Sequence, residues 1–155
     1  MADFFDQFED GWEAFGLSPT SDPAVQIAEP IPLYRGDRND PAVWGNPPPF
    51  AAYDLVSDVE LHRSTLSDMR TRLIEVDFYH NTMGQAFATM LAAKNRLTRR
   101  LNTILFYEWL QPDDETVLDM KVFQMSEFND DKKKVQSGMW VAILILKFTL
   151  SWVRN

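Results

Sequence analysis

Cysteine is missing from this chain of 155 residues. Its absence excludes disulfide bridges, zinc sites with cysteine ligands, iron–sulfur clusters and cysteine nucleophiles. Long apolar runs are missing as well, because the most apolar stretch, residues 139–146, has eight residues, whereas a membrane-spanning helix needs about 20. The N-terminus is acidic where a signal peptide is basic. We therefore expect a protein that is not secreted by that route and does not enter a membrane.

A surplus of basic charge is missing too, since 15 Lys and Arg residues stand against 23 Asp and Glu residues and give a net charge of −8. Such a chain has no general affinity for the phosphates of DNA or RNA, because the attraction that drives that binding requires a basic surface. Basic side chains can still form local patches within the acidic whole.

Signatures of catalysis are scarce. The chain has no phosphate-binding Gly-x-x-x-x-Gly-Lys loop, no dinucleotide fingerprint and no Gly-x-Ser-x-Gly elbow. His62 and His80 are not spaced as metal ligands. The acidic pairs at 113–114 and 130–131 lie among other charges and predict solvated turns. We therefore expect no enzymatic activity, no cofactor and no metal.

The composition that is present, 45% apolar and 13% aromatic residues, predicts one globular domain with three segments. Residues 1–16 form an amphipathic helix. Residues 17–49 carry eight of the nine prolines and form an extended connector, in which residues 31–35 are a short extended piece. Residues 50–155 form an α+β core.

The N-terminal helix is predicted to begin at Asp3 and to end at Gly16, and one of its faces is aromatic. Phe4, Phe8 and Trp12 recur every four residues, which places them on one stripe. Two interpretations stay open. The stripe packs on the core of its own chain, or it docks into a groove on a partner.

Alternation of apolar and polar residues predicts an antiparallel sheet of about four strands in the order β-β-α-β-β, packed against a long helix. The predicted strands cover residues 53–61, 73–79, 117–125 and 138–152, and the helix covers residues 84–106. The last strand is apolar on both faces at its start. Because the long helix covers one face only, the N-terminal helix or another subunit must cover the second.

Charged clusters provide the remaining candidate sites. The arginines on the long helix form either a solvated face or a basic patch that contacts an acidic neighbour. Residues 113–115 predict an acidic turn, and residues 126–136 predict an exposed loop. The candidate side chains are Arg96, Arg99 and Arg100 on the helix, Asp113, Asp114 and Glu115 in the turn, and Lys132, Lys133 and Lys134 in the loop.

Three segments resemble the bacteriophage neck or tail terminator proteins. They are residues 31–39 (IPLYRGDRN), 49–53 (PFAAY) and 71–79 (TRLIEVDFY), and they occur in the same order as in that family. The resemblance implies a structural virion protein, assembled in the host cytoplasm, whose hexameric ring caps the tail tube, stops its polymerisation and joins it to the head-side connector. DNA passes through the lumen without specific binding.

The resemblance also implies partners. They are further copies of the chain, the tail-tube protein and the head-side connector, with the tail sheath as another candidate. In the ring we expect the arginine cluster of one copy to face the acidic turn of the next, and the lysine loop to reach the tube or the connector. The alternatives are a head-completion or stopper protein of the neck, and a soluble non-viral adaptor that binds a basic partner through its N-terminal helix.

Overall fold

A computed structural model describes residues 3–36, 46–63, 67–125 and 139–153. Predictions for Lys132, Lys133 and Lys134 and for the middle of the connector lie outside these residues. In chain order, the helices and strands are α1 (Phe4–Ala14), β1 (Leu33–Arg35), β2 (Phe50–Arg63), β3 (Ser67–His80), α2 (Met83–Thr98), α3 (Phe106–Trp109), β4 (Thr116–Met125) and β5 (Trp140–Val153).

The fold is mixed α+β and is built on a five-stranded sheet in the order β1-β2-β3-β5-β4. β1 is parallel to β2, and the other neighbours are antiparallel. The predicted sheet of four strands is therefore too small. The short extended piece predicted at residues 31–35 supplies the missing strand, because Leu33 to Arg35 pair with Ala51 to Tyr53. Three residues are too few for a detectable alternation of apolar and polar side chains.

α1 forms as predicted because its sequence encodes both ends. Asp3 is the N-cap, and its Oδ1 accepts a hydrogen bond from the Asp6 N–H at 2.8 Å. Beyond the last turn, Gly16 has a φ of +77°, a conformation that glycine adopts without steric cost.

The aromatic stripe of α1 lies in the core of its own chain. Phe4, Phe8 and Trp12 are at most 2% exposed. Phe4 packs edge-on against Phe148 of β5 at 5.1 Å, and Phe8 packs against Tyr53 of β2 at 4.9 Å between ring centroids. The interpretation of these three side chains as a partner surface is therefore corrected, because the sheet buries them.

The predicted helix over residues 84–106 is too long, because residues 99–105 are not helical and α3 begins only at Phe106. α2 ends at Thr98, and Arg99 is extended. Asn102 then adopts a φ of +59°, and Leu101 and Ile104 exchange backbone hydrogen bonds across a tight turn. Asparagine tolerates this left-handed conformation better than most residues do. The helix therefore ends before this turn, although apolar residues at helical spacing continue beyond it. Within the described ranges, no helix combines the length and apolarity needed to cross a membrane.

Candidate functional site

α1 and α2 pack on the same face of the sheet, where their side chains share one core with Ile74, Val76 and Leu146. The opposite face, here called the open face, carries the alternate residues of the strands, among them Glu75 and Ile145. Of the two alternatives for covering this second face, the one that uses α1 is therefore wrong, because the aromatic stripe of α1 packs on the first face.

One end of the open face is buried in a small second cluster. Phe50, Tyr79 and Val141 are at most 1% exposed there, and the rings of Phe50 and Tyr79 stack at 4.8 Å. Tyr34 of β1 packs edge-on against Phe50 at 5.9 Å. The added edge strand thus contributes a side chain to this end of the open face.

The rest of the open face forms a shallow apolar groove of about 530 Å³. It is lined mainly by Val59, Leu73, Phe123, Met125 and Ile145. Val59 is 53%, Phe123 51% and Met125 43% exposed. Soluble proteins usually bury contiguous apolar side chains of this size unless they use them for contact with another molecule. The groove is therefore the strongest candidate interaction surface in the described part of the chain.

A β-bulge in β2 explains why Val59 lies in this groove. The pairing with β3 shifts between Leu55 and Ser57, so that Val56 is an extra residue. Side chains beyond the bulge change faces relative to a regular alternation. Val59 therefore points to the open face, and Asp58 points to the face that carries the helices.

On that helix-bearing face, Arg72 of β3 lies between two carboxylates. It donates from Nε and Nη2 to Asp58 Oδ2 at 3.2 and 2.9 Å, and from Nη1 and Nη2 to Glu115 Oε1 and Oε2 at 3.2 and 2.9 Å. Its guanidinium also lies 4.9 Å from the ring centroid of Phe4. Burial alone would lower the pKa of Arg72, but hydrogen bonds and charges from Glu115 and Asp58 raise it above its ordinary value.

This cluster of Arg72, Asp58 and Glu115 joins β2, β3 and the start of β4 to the aromatic stripe of α1. The sequence analysis missed its centre. The sequence does contain an indication of it. Arg72 is two residues before Ile74 and four before Val76, so it lies on the same, buried face of the strand, where a charged residue needs a partner.

A second polar link fastens α1 to the sheet. The Tyr53 hydroxyl donates a short hydrogen bond to Glu9 Oε2. Burial, this hydrogen bond and the negative charge of Glu9 raise the pKa of Tyr53 well above its ordinary value. The hydroxyl therefore stays protonated, and keeps donating, through the neutral range.

The predicted arginine patch divides into three roles. Arg96 donates to the carbonyl oxygens of Phe15 and Val25, the first at 3.0 Å, and so ties the connector to α2. Arg100 binds Glu108 at 3.3 Å and the Thr103 carbonyl at 2.9 Å. Arg99 is exposed and lines a shallow groove together with Arg96 and Arg100.

The three residues of the acidic turn also have different surroundings. Glu115 is bound to Arg72, whereas Asp113 and Asp114 are exposed. Asp114 has a φ of +66° at the tip of the turn. Among the described residues, no ion pair links this turn to the arginine cluster within one chain. Arg99, Arg100, Asp113 and Asp114 are thus the exposed members of the two predicted patches, and Arg100 among them also binds Glu108.

The described residues contain no group of three or more His, Asp or Glu side chains arranged to hold a metal ion. His80 is buried, and its Nδ1 accepts a hydrogen bond from the Asn81 N–H at 2.8 Å. A scan against protein-family models finds no match to this chain, and a comparison with curated protein sequences finds none either.

Proposed function

We propose that this chain is a tail terminator, a structural virion protein whose ring caps the tail tube and joins it to the head-side connector. The observation that carries the proposal is the position of the three segments that resemble this family. Leu33 lies beside Ala51, and Ala51 lies beside Phe78. Segments separated by up to 40 residues in sequence are thus neighbouring strands of one sheet corner, as expected for a shared structural unit.

The surfaces of the chain support an assembly role. The groove on the open face exposes Val59, Phe123 and Met125, and such patches mark contacts between proteins. The adaptor alternative lacks the surface that it requires, because the aromatic stripe of α1 is buried in its own chain.

Contacts that close a ring join two different patches of the same chain, one on each neighbour. Arg99 and the pair Asp113 and Asp114 provide such patches, opposite in charge and exposed. Arg96 and Glu115 are excluded from this role because they are bound within the chain. The proposed ring contact therefore uses Arg99 against the tip of the acidic turn. Arg100 flanks this contact, because its side chain stays 56% exposed although it binds Glu108.

The net charge of −8 per copy suits a passage for DNA. Acidic side chains that face a lumen repel phosphates, so that the genome slides through without binding. A ring with a basic lumen would contradict this part of the proposal.

The test is negative-stain imaging of the purified chain mixed with its tail-tube protein, scored for rings and for tubes of defined length that carry a cap. Capped tubes support the proposal. Uncapped tubes beside a chain that binds the head-side connector would favour the stopper alternative instead.

Matched variants sharpen this test. Arg99→Glu should abolish rings and leave the subunit folded, whereas Lys94→Glu, a matched charge reversal on α2 outside the proposed contact, should leave rings intact. Removing residues 126–136 should spare the ring and abolish docking to the tube or connector. Unchanged docking would contradict the role assigned to Lys132, Lys133 and Lys134.

A further inference from the structure

The shallow groove beside the end of α2, here called the arginine groove, has a volume of about 360 Å³. Its lining consists of Arg96, Arg99 and Arg100 together with Asn95, Ile27, Ala92 and Leu101. None of the described residues that line it is acidic. In a chain with a net charge of −8, three cations in one groove are a local concentration of the opposite charge.

The bonds that the three arginines make within the chain leave part of this charge unbalanced. Arg96 donates to two backbone carbonyls, which carry no net charge. In the described part of the chain, Arg99 has neither a hydrogen bond nor an ion pair, and Arg100 binds Glu108. One carboxylate thus balances one of three guanidinium groups. Cations that share a groove repel one another, and an anion bound among them offsets the repulsion.

We propose that the arginine groove binds a small phosphate monoester. A monoester carries a charge of about −1.5 to −2 at neutral pH and presents three acceptor oxygens, which matches the two guanidinium charges left unbalanced. A carboxylate has one charge and two oxygens, enough for a single guanidinium fork. Among the described residues, Arg96 and Arg100 use only Nη1 for their bonds. Their Nε and Nη2 atoms and the whole fork of Arg99 are therefore left to donate.

The size and the floor of the groove favour an ester over free phosphate. Pockets for small organic ligands begin at about 300 Å³, a volume that the arginine groove reaches. Ile27, Ala92 and Leu101 make part of its lining apolar, and an organic group lying on them removes apolar surface from water. The Asn95 amide adds a donor and an acceptor for a polar atom of the same group.

This binding goes beyond the proposed ring and does not require it. The two are connected through Arg99, which the ring contact also uses, so a bound ester and the acidic turn of the next copy compete for one side chain. An ester that binds should therefore hinder ring formation. Because binding is measured on the purified chain without the tail-tube protein, its failure and the failure of the ring are separate results.

The test is isothermal titration calorimetry with adenosine monophosphate and phenyl phosphate as the esters, and with inorganic phosphate and adenosine as their parts. At least one ester should bind about tenfold more tightly than inorganic phosphate, because it also buries apolar surface. Arg99→Gln should raise its dissociation constant at least about tenfold. Lys94→Gln removes a charge of α2 outside the groove and should change it by less than about threefold, because distant exposed charges are screened.

A second pair of variants adds a negative charge and leaves the arginines in place. Ala92→Glu puts a carboxylate into the arginine groove and should weaken the ester at least about tenfold. Ala88→Glu adds the same charge one turn earlier on α2, at an exposed position outside the groove, and should have little effect. Circular dichroism checks that each variant is folded.

Three results would overturn the inference. They are esters that bind no more tightly than inorganic phosphate, adenosine that binds as tightly as its monophosphate, and groove variants that weaken binding no more than their controls. Duplex DNA that binds the groove more tightly than either ester would also overturn it, because the ligand would then be a nucleic-acid backbone.

Discussion

Replacing Arg72 by methionine should destabilise the fold, because the change leaves the Glu115 carboxylate without a cation and leaves the nearby Asp58 with only Arg70, at 4.0 Å. In the native chain the guanidinium makes four hydrogen bonds at 2.9 to 3.2 Å to Asp58 and Glu115. Methionine keeps much of the apolar contact with Phe4 but supplies no donor.

The expected cost follows from the burial of each partner. Removing one member of a buried ion pair costs about 3–5 kcal/mol. The side chains of Asp58 and Glu115 are 24% and 16% exposed, so water relieves part of their repulsion. We therefore expect Arg72→Met to lower the free energy of unfolding by about 2–3 kcal/mol. For a domain of this size, that corresponds to a melting temperature lower by roughly 5–10 °C.

The assay is urea denaturation at neutral pH, with a compensating variant as the control. Arg72→Met combined with Asp58→Asn and Glu115→Gln removes the unpaired charges together with the cation. Replacing a whole buried ion cluster is often nearly neutral, so this triple variant should recover most of the lost stability.

Two results would refute the reasoning about Arg72. The first is a single variant within about 0.5 kcal/mol of the native chain, the range of ordinary surface changes. The second is a triple variant no more stable than the single one, which would show that the cost comes from packing against Phe4 and not from charge.

Three further changes, one of them paired with a control on α2, test the packing of α1 and its surroundings by the same denaturation assay. Tyr53→Phe should cost about 1–2 kcal/mol at neutral pH. Because the pKa of Tyr53 is raised on folding, its contribution is complete below about pH 10 and is lost as the pH rises further, and the variant should lack this loss. Gly16→Ala should cost about 2 kcal/mol or more, because its Cβ would lie 2.0 Å from the Val25 carbonyl oxygen, whereas Gly84→Ala, with no atom near its Cβ, should gain about 0.5–1 kcal/mol. Phe8→Ala should cost about 3–5 kcal/mol if the stripe is core.

Each of these changes has a result that would contradict it. An alkaline stability profile of Tyr53→Phe that parallels the native one would show that this hydroxyl does not control that range. Equal changes in stability for Gly16→Ala and Gly84→Ala would contradict the claim that the left-handed backbone at Gly16 requires glycine. A Phe8→Ala variant as stable as the native chain would show that the aromatic stripe is not core and would favour its interpretation as a partner surface.

Much of the fold could be predicted from the sequence because the central elements have strong local signals. β3 and β5 alternate over many residues, and both predicted strands are present and paired with each other. α1 carries its own cap at Asp3 and a regular aromatic stripe. Where one face is buried and the pattern is long, tertiary packing and local preference agree.

The edges of the sheet could not be predicted in the same way. β1 has three residues and exists only because it pairs with β2, a contact between distant parts of the chain. The end of α2 at Thr98 depends on the turn at Asn102, and the apolar pattern that continues to Phe106 conceals it. Such features are decided by tertiary contacts, which a periodic pattern does not contain.

The bulge at Val56 connects these limits to the candidate site. Without it, Asp58 would lie on the open face and Val59 in the core, as a regular alternation predicts. With it, Asp58 reaches Arg72, and Val59 becomes part of the groove. One extra residue thus brings Asp58 into the ion cluster that joins α1 to the sheet and adds Val59 to the exposed apolar groove. Because a bulge has no signature in the apolar pattern, the two features were missed together.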